Sequence, residues 1–303
     1  MAAPPSAAWP PLQYDEWKDT YVTLHMWTQV VGKVALAQAP PVNHSWAVAF
    51  HVTPRGLSTH LLPYGARSFA VEFDFVEHLL RVQVSDGRSQ THPLTDQSVA
   101  DFYRAVMTLL RRMDLGVRIW SMPVEVPDPI RFEDDTIHHT YDRAAAHRCW
   151  QIFSRIAAVL AERRAHFLGK TSPVHFFWGG FDLAVTRFSG RPAPPREGPR
   201  FMRDAYSHEV ISHGFWPGSG PLLEPAFYAY AVPEPAGLKE AVVQPSAAYY
   251  HRELGEFILP YEAVRTAPDP AAAIGAFVDS TYERAATLAR WDRAALERPA
   301  LAV

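Results

Sequence analysis

The segment from residue 172 to residue 191 constrains this chain more than any other, because it reads as a tight β-hairpin. Its paired glycines, Gly179 and Gly180, supply the positive φ angles that a two-residue hairpin turn requires. Side chains alternate across a strand, so this turn predicts that His175 and Asp182 share one face and the aromatic residues share the other. The two polar residues become diagonal neighbours, roughly 7–8 Å apart at Cα, close enough to hold one ion or one substrate group.

The composition is that of a globular protein without a strong charge. Of 303 residues, 48% are hydrophobic and 20% are charged, and the net charge is −3. This balance provides no attraction to nucleic acid or to an anionic membrane, so neither is expected as a partner. No apolar run approaches the roughly 20 residues of a membrane span, and the first residues lack the pattern of a signal peptide. We therefore expect a cytoplasmic protein.

Apolar residues recur at helical spacing in several segments and alternate in others. The predicted helices cover residues 14–38, 96–113, 134–167 and 270–291. Alternation predicts antiparallel strands at 46–60, 71–75 and 80–84, with further extended segments near 205–213 and 226–232. In the pair 71–75 and 80–84, a turn at Glu77 and His78 would set Asp74 opposite Arg81 as a surface ion pair.

These elements run in two similar cycles. With an offset of 122 residues, the helical stripe His25, Gln29 and Lys33 aligns with a second His, Gln and cation, although any two amphipathic helices align at a few positions. We predict an α+β fold of two similar halves, each an antiparallel β-meander covered on one face by helices, with polar faces directed to a shared cleft. The predicted division is a disordered N-terminus at 1–11, a first half at 12–130 and a second half at 131–303.

The hairpin sequence SPVHFFWGGFDLAVTRFSGR resembles the signature of an uncharacterised bacterial protein family of unknown function. Gly180 stands where that signature has Ser, which should only soften the turn. Other segments resemble the same family: Thr23–Met26, Gln29–Lys33, Thr53–Gly56, Phe73–Phe75, Ser207–Glu209 and Gly214–Gly218. The family carries no established activity, so the resemblance implies one coherent unit over roughly residues 12–292.

His175 and Asp182 form the main candidate site. An imidazole and a carboxylate on one open face suit a pair of transition-metal ligands, and equally a general base with an orienting carboxylate. The alternative is a buried His–Asp hydrogen bond that ties the hairpin. His208 or Glu209 could complete a two-His, one-carboxylate set, although the five-residue spacing to His213 excludes a zincin motif. We predict His175, Asp182 and His208 as metal ligands for Fe, Zn or Mn, and His175, Asp182 and Glu209 as catalytic.

Aromatic residues predict a separate binding surface. Tyr228 and Tyr230 fall on one strand face near Arg187 or Arg191 and, with Trp216, suit a pocket for a flat or anionic ligand; core packing is the alternative. His138 and Asp142, four apart in the predicted helix 134–167, have chelating spacing, but capping and a surface role are favoured there.

Two classes of function follow from these patterns. The leading hypothesis is a metal-dependent enzyme, an oxidoreductase or a hydrolase, that acts on a small polar molecule. The alternative is a metabolite-binding or regulatory protein without catalysis. In both cases the expected partner is a small-molecule ligand, and a homodimer is left open.

Overall fold

The computed structural model describes residues 8–198, 200–218 and 222–298, so most of the segment predicted to be disordered lies outside the described residues. The chain divides into two compact units. Of the described residues, the N-terminal unit comprises 12–154 and 176–182, and the C-terminal unit comprises those within 8–11, 155–175 and 183–298. Each unit combines helices with an antiparallel sheet, which confirms the α+β class. The duplication and the boundary near residue 130 stay predictions.

The N-terminal unit begins with a long helix and continues into a meander of strands. Its elements are α1 (Tyr14–Gln38), β1 (His51–Val52), β2 (Gly56–Ser58), β3 (Leu62–Tyr64), β4 (Arg67–Asp74), β5 (Leu79–Val84), β6 (Ser89–Pro93), α2 (Val99–Arg112) and the first half of α3 (Arg143–Arg164). A short 3-10 helix, Asn43–Ser45, follows α1. The strands are ordered β1–β2–β4–β5–β6, and β3 pairs with β4.

The core of the N-terminal unit is aromatic. Phe73 on β4 pairs with Leu80 on β5, and both side chains are fully buried, as the predicted alternation requires. Phe102 of α2 stacks on Phe73 with ring centroids 6.1 Å apart, and Trp27 of α1 stacks on Phe102 at 4.7 Å. This contact joins α1 and α2 to the sheet, and each ring buried in this way contributes about 1.5–3 kcal/mol.

Asp74 and Arg81 form an ion pair, but the prediction that this pair lies on the surface is wrong. The register pairs Arg81 with Glu72, and the Asp74 side chain is fully buried. Its carboxylate accepts hydrogen bonds from Arg55 Nε at 2.6 Å and from Arg81 Nη2 at 3.4 Å. Although burial raises the pKa of Asp74, the Arg55 contact and two backbone N–H donors bring the pKa below its ordinary value. The pair therefore anchors the β4–β5 turn from inside the protein.

The predicted helix 134–167 begins too early. Helix α3 starts at Arg143, because Asp142 accepts hydrogen bonds from the backbone N–H groups two and three residues further on and so acts as the N-cap. His138 precedes the helix, and its Nδ1 donates to Asp135 at 2.8 Å. His138 and Asp142 therefore do not share a helical turn. The predicted chelating spacing is wrong, whereas the capping role is confirmed for Asp142.

The C-terminal unit contains the second sheet. Its elements are the end of α3, β7 (His175–Phe177), β8 (Asp182–Pro192), α4 (Arg200–Ala205), β9 (His208–Trp216), β10 (Ala226–Val232), β11 (Tyr249–His251), β12 (Glu256–Pro260), α5 (Tyr261–Arg265), α6 (Pro270–Leu288) and α7 (Arg293–Leu296). Phe176 and Phe177 of β7 and Asp182 of β8 are counted with the N-terminal unit. A 3-10 helix, Leu238–Glu240, lies between β10 and β11. The strand order is β11–β12–β10–β9–β8–β7.

One face of this second sheet is covered by helices. The Nε2 atom of His213, on β9, lies 3.0 Å from Oγ1 of Thr281, on α6. The Phe215 ring, also on β9, lies 5.6 Å from the Tyr261 ring on α5. Helix α6 begins at Pro270, where proline is tolerated because that N–H has no helical partner. None of the described helices is both long enough and apolar enough to cross a bilayer.

Candidate functional site

The most unusual side chain of the N-terminal unit is Lys33 on helix α1. Every residue from Thr23 to Ala35 is buried, so this part of α1 has no solvent face, and Lys33 is only 3% exposed. Its Nζ atom lies 4.5 Å from the Trp120 ring and 5.9 Å from the Trp178 ring. Within the described residues, Lys33 Nζ has neither a hydrogen-bond acceptor nor a carboxylate within 4.0 Å. The ammonium group therefore lies beside two indole rings and is satisfied by no protein oxygen among the described residues.

Trp178 reaches Lys33 because a glycine opens the surface of α1. A Cβ atom at Gly32 would overlap the Trp178 indole, so only glycine lets that ring lie directly on the helix. The indole Nε1–H donates to the carbonyl of Val48 at 2.9 Å, which fixes the orientation of the ring. Two segments that resemble one family, Gln29–Lys33 and the hairpin, thus meet at this contact.

The hairpin turn differs from the two-residue turn that the sequence predicted. It spans four residues from Trp178 to Phe181, and the positive φ belongs to Phe181, at 56°, instead of to the glycines. The glycines provide space: a Cβ at Gly179 would overlap the Glu125 carboxylate, and one at Gly180 would lie 3.0 Å from Asp182 Oδ1. The turn is therefore shaped to accommodate two carboxylates.

Two further side chains of α1 hold the neighbouring loops in place. His25 Nε2 donates to the carbonyl of Gly179 at 2.8 Å, and burial lowers the pKa of His25 to about 4, so the ring is neutral near pH 7. The side-chain amide of Gln29 donates to the carbonyl of Val124 at 2.7 Å and accepts from its N–H at 2.8 Å. The stripe His25, Gln29 and Lys33 thus fixes both the turn and the segment before Glu125.

Glu125 completes what we call the Lys33 cluster: Lys33, Trp120, Glu125 and Trp178. The residue has φ 59° and is exposed overall, but its carboxylate lies against the Gly179 turn. Burial raises the pKa of Glu125, and the charge of Lys33 opposes the rise. Conversely, burial lowers the pKa of Lys33, and Glu125 opposes the fall. The surroundings thus disfavour the charged form of both side chains, and pKa values shifted in this way are concentrated at functional sites.

Sequence reasoning placed Lys33 on a helical stripe but did not predict it as a site residue. A usable signal was present. The chain has 29 Lys and Arg residues, of which only four are lysines: Lys18, Lys33, Lys170 and Lys239. Lys33 alone of these stands inside an apolar run of a helix without a polar face, and the other three are exposed.

The predicted surface of Tyr228, Tyr230, Trp216 and Arg187 is divided between two faces of the second sheet. Strand register aligns Tyr228 with Gly214, and Arg187 with Ile211, one residue out of phase, so Arg187 points to the opposite face. The three aromatic rings stack in sequence, with Tyr228 5.3 Å from Trp216 and 5.9 Å from Tyr230. The prediction of one shared pocket for these four residues is therefore wrong.

Tyr230 borders a cleft of about 430 Å³ within the C-terminal unit, whereas Tyr228 packs into a core cluster with Ala226 and Ile258. The Tyr230 hydroxyl lies 3.1 Å from that of Tyr206, over whose ring Arg196 sits at 4.9 Å. Burial raises the pKa of Tyr230 well above its ordinary value, so the phenol stays protonated.

Arg187 is a core residue with 4% exposure. Its guanidinium lies 4.3 Å from the Tyr282 ring and 5.8 Å from the Phe167 ring. Nη2 donates to the carbonyl of Arg163 at 2.9 Å. Nε is buried without a hydrogen-bond partner among the described residues, and at 4% exposure the guanidinium has no open side toward solvent.

The residues predicted to bind a metal do not assemble into one site. His208 and Glu209 are consecutive on β9 and point to opposite faces, and Glu209 pairs with Arg191 at 2.6 Å. His175 is 1% exposed, so the open face predicted for it is wrong; Asp182 belongs to the other compact unit. Over the described ranges, no group of three or more His, Cys, Asp or Glu side chains is arranged to hold a metal ion.

Comparison with known proteins places these two units in one family. A sequence profile described as a family of unknown function, DUF5996, matches residues 9–298. No curated protein and no solved structure matches the chain. The match spans nearly all the described residues, which confirms the resemblance to an uncharacterised family. The chain belongs to this family of unknown function, DUF5996.

Proposed function

We propose that this protein binds a small planar metabolite at the Lys33 cluster and acts as a metabolite-binding protein. The observation that carries the proposal is Lys33, a residue that is 3% exposed and whose ammonium group meets no acceptor among the described residues. Burying such a group without a hydrogen bond is costly, so a ligand oxygen that accepts from it gains more than it would at the surface. A carbonyl or carboxylate oxygen has the required chemistry.

The rings beside Lys33 indicate the shape of the ligand. Trp120 is 63% exposed, although most large apolar residues of this unit are buried. Together with Trp178 it offers aromatic faces next to a cation, which suits a flat ring that carries an acceptor. Glu125 adds a carboxylate that is able to accept an N–H or O–H of the ligand. The ligand is therefore expected to be aromatic, with an acceptor and a donor close together.

A purely structural role explains the cluster less well. Contact with two indoles returns only about 2 kcal/mol to a desolvated ammonium group, and leucine or methionine would fill the same space without any desolvation cost. The chain uses arginine for nearly all its other cations, including the buried Arg187. A lysine in this position is explained if its compact, deprotonatable amine is used.

Titration with salicylate and salicylamide tests the proposal. Both are flat rings with an acceptor beside a donor, and binding is followed by calorimetry and by tryptophan fluorescence. We expect saturable binding that weakens at least about tenfold in Lys33→Met, because a charged hydrogen bond is lost.

Lys170→Met is the matched control, since Lys170 also lies over an aromatic ring, Phe188 at 4.8 Å, but is exposed. It should bind both probes like the native protein. Equal binding by native protein and Lys33→Met, or no binding by either, would contradict the proposal.

The metal-dependent enzyme predicted from His175, Asp182 and His208 is the weaker proposal, because no three-ligand group occurs within the described residues. Elemental analysis of the native protein beside His208→Ala tests it. About one equivalent of Fe, Zn or Mn, lost in the variant, would support it; an equal content in both proteins would contradict it.

A further inference from the structure

We infer that Lys33 is the nucleophile of an imine-forming site and that its ligands include planar aromatic aldehydes. The inference rests on the proposed function and assigns a covalent step to the same cluster. Its basis is geometric: a primary amine on a side chain that is 3% exposed, held beside two indoles and without a protein acceptor within the described residues.

The surroundings of Lys33 favour a reactive amine. A lysine becomes nucleophilic when it is desolvated, because the neutral form then gains relative to the ammonium form. Burial lowers the pKa of Lys33 and raises that of Glu125, and these are the two titratable groups that act on each other here. His25, on the same helical stripe, remains neutral down to about pH 4. Apart from Lys33, no side chain of the stripe His25, Gln29 and Lys33 therefore carries a positive charge near pH 7.

Solvent carries the protons of the reaction, since no carboxylate lies within 4.0 Å of Lys33 Nζ among the described residues. The Lys33 ammonium gives one proton to water, and the free amine attacks the aldehyde carbon to form the C–N bond of a carbinolamine. A proton from solvent then reaches the carbinolamine hydroxyl, the C–O bond breaks and water leaves. Aldehyde and ammonium thus become a protonated imine and water, so atoms and charge balance without an oxidant or a reductant.

Trp120 provides the route to the amine. Its ring lies over Lys33 Nζ, yet the side chain is 63% exposed. It stands in residues 113–142, all of them described, which contain neither helix nor strand between α2 and α3. A side chain on such a segment is able to move aside more easily than one inside a packed element, so a flat aldehyde enters by replacing or restacking this indole.

Reductive trapping tests the inference on the whole chain. The native protein is incubated with salicylaldehyde near pH 7, reduced with borohydride and digested, and the adducts are located by mass spectrometry. Four lysines make the assignment simple. Accessibility alone predicts labelling of Lys18, Lys170 and Lys239, which are exposed. We expect Lys33 to be labelled at least about tenfold faster, despite its burial.

One variant separates the chemistry from the binding. Lys33→Arg keeps the charge and should bind salicylate without forming an adduct at position 33.

The outcomes are distinguishable. Salicylamide binding that depends on Lys33, together with labelling of only the exposed lysines, would overturn the imine inference and leave the proposed function standing. Absence of both binding and labelling would overturn the two together.

Discussion

Lys33 and Arg187 are two buried cations, one in each compact unit, and their surroundings differ in an instructive way. Both are almost fully covered, at 3% and 4% exposure, and each lies against two aromatic rings. Arg187 also donates to a backbone carbonyl of its own unit, at Arg163, whereas Lys33 meets no protein acceptor within the described residues. Arg187 therefore has a protein acceptor for Nη2, although its Nε is buried without a hydrogen-bond partner, whereas Lys33 Nζ has no acceptor among the described residues.

The rings around the two cations differ as well. Tyr282, beside Arg187, donates its hydroxyl to Glu297 at 2.9 Å and so belongs to a closed polar network. Trp120, beside Lys33, is 63% exposed. Burial and aromatic contact alone thus do not identify a site. The feature that separates Lys33 from Arg187 is the exposed ring beside it, because Arg187 Nε is also buried without a hydrogen-bond partner among the described residues.

The largest effect is expected at Arg187. Replacing Arg187 with alanine removes its packing on Tyr282 and Phe167 and leaves a cavity, so we expect a loss of about 3 kcal/mol in the free energy of unfolding. Urea denaturation measures the loss, and binding of salicylamide should not change. A loss below about 1 kcal/mol would break the comparison, because Arg187 would then not be part of the core.

His25 supplies a pH-dependent test of the N-terminal unit. Its pKa of about 4 lies below the ordinary 6.5, so between these pH values the imidazole is protonated in the unfolded chain but neutral in the folded protein. Stability should fall as the pH drops from 6.5 to about 4, by about 3 kcal/mol, and level off below that range. His25→Gln keeps a donor for Gly179 and should lack this part of the pH dependence. Identical pH profiles in the two proteins would contradict the assignment.

Two helical glycines, one in each compact unit, test whether the Trp178 ring of the Lys33 cluster needs a glycine beneath it. Gly32→Ala should cost about 2 kcal/mol and weaken salicylamide binding, because the new methyl group displaces the Trp178 indole. Gly275→Ala in α6 is the matched control. Its Cβ would lie 3.3 Å from the flexible Arg163 side chain, and alanine favours a helix by up to about 1 kcal/mol. Equal losses in both variants would show that Trp178 does not need Gly32.

The smallest effect on stability is expected at Lys33 itself. Lys33→Met removes a buried charge without an acceptor and keeps most of the volume, so the free energy of unfolding should change by less than about 1 kcal/mol or increase slightly. Ligand binding should be lost at the same time. A large destabilisation would place Lys33 with Arg187, as a residue that the fold requires.

Much of the framework was predictable because local patterns decide it. The helix at 14–38 is observed at Tyr14–Gln38, and the alternation at 71–75 and 80–84 is observed in β4 and β5. The first turns of the predicted helix 134–167 were wrong, since the helix is capped by Asp142 and begins at Arg143. Capping depends on which backbone groups a side chain reaches, and several residues in one stretch had the right chemistry.

The site was less predictable. The sequence emphasised His175 and Asp182 because they are chemically conspicuous, and it treated Lys33 as one member of a helical stripe. The neighbours of Lys33 come from positions 120, 125 and 178, which are far from it in sequence. No local pattern indicates that a lysine, two indoles and a carboxylate will meet.

The sequence by itself determined the α+β class, most helices and strands, and membership of one family, because these follow from periodicity and from motifs that are local in the chain. Tertiary structure decided which polar groups are satisfied. Arg187 and Asp74 find partners inside the protein, and Lys33 does not. Burial, hydrogen-bond satisfaction and the resulting pKa shifts depend on long-range packing, which is why they became visible only in the folded chain.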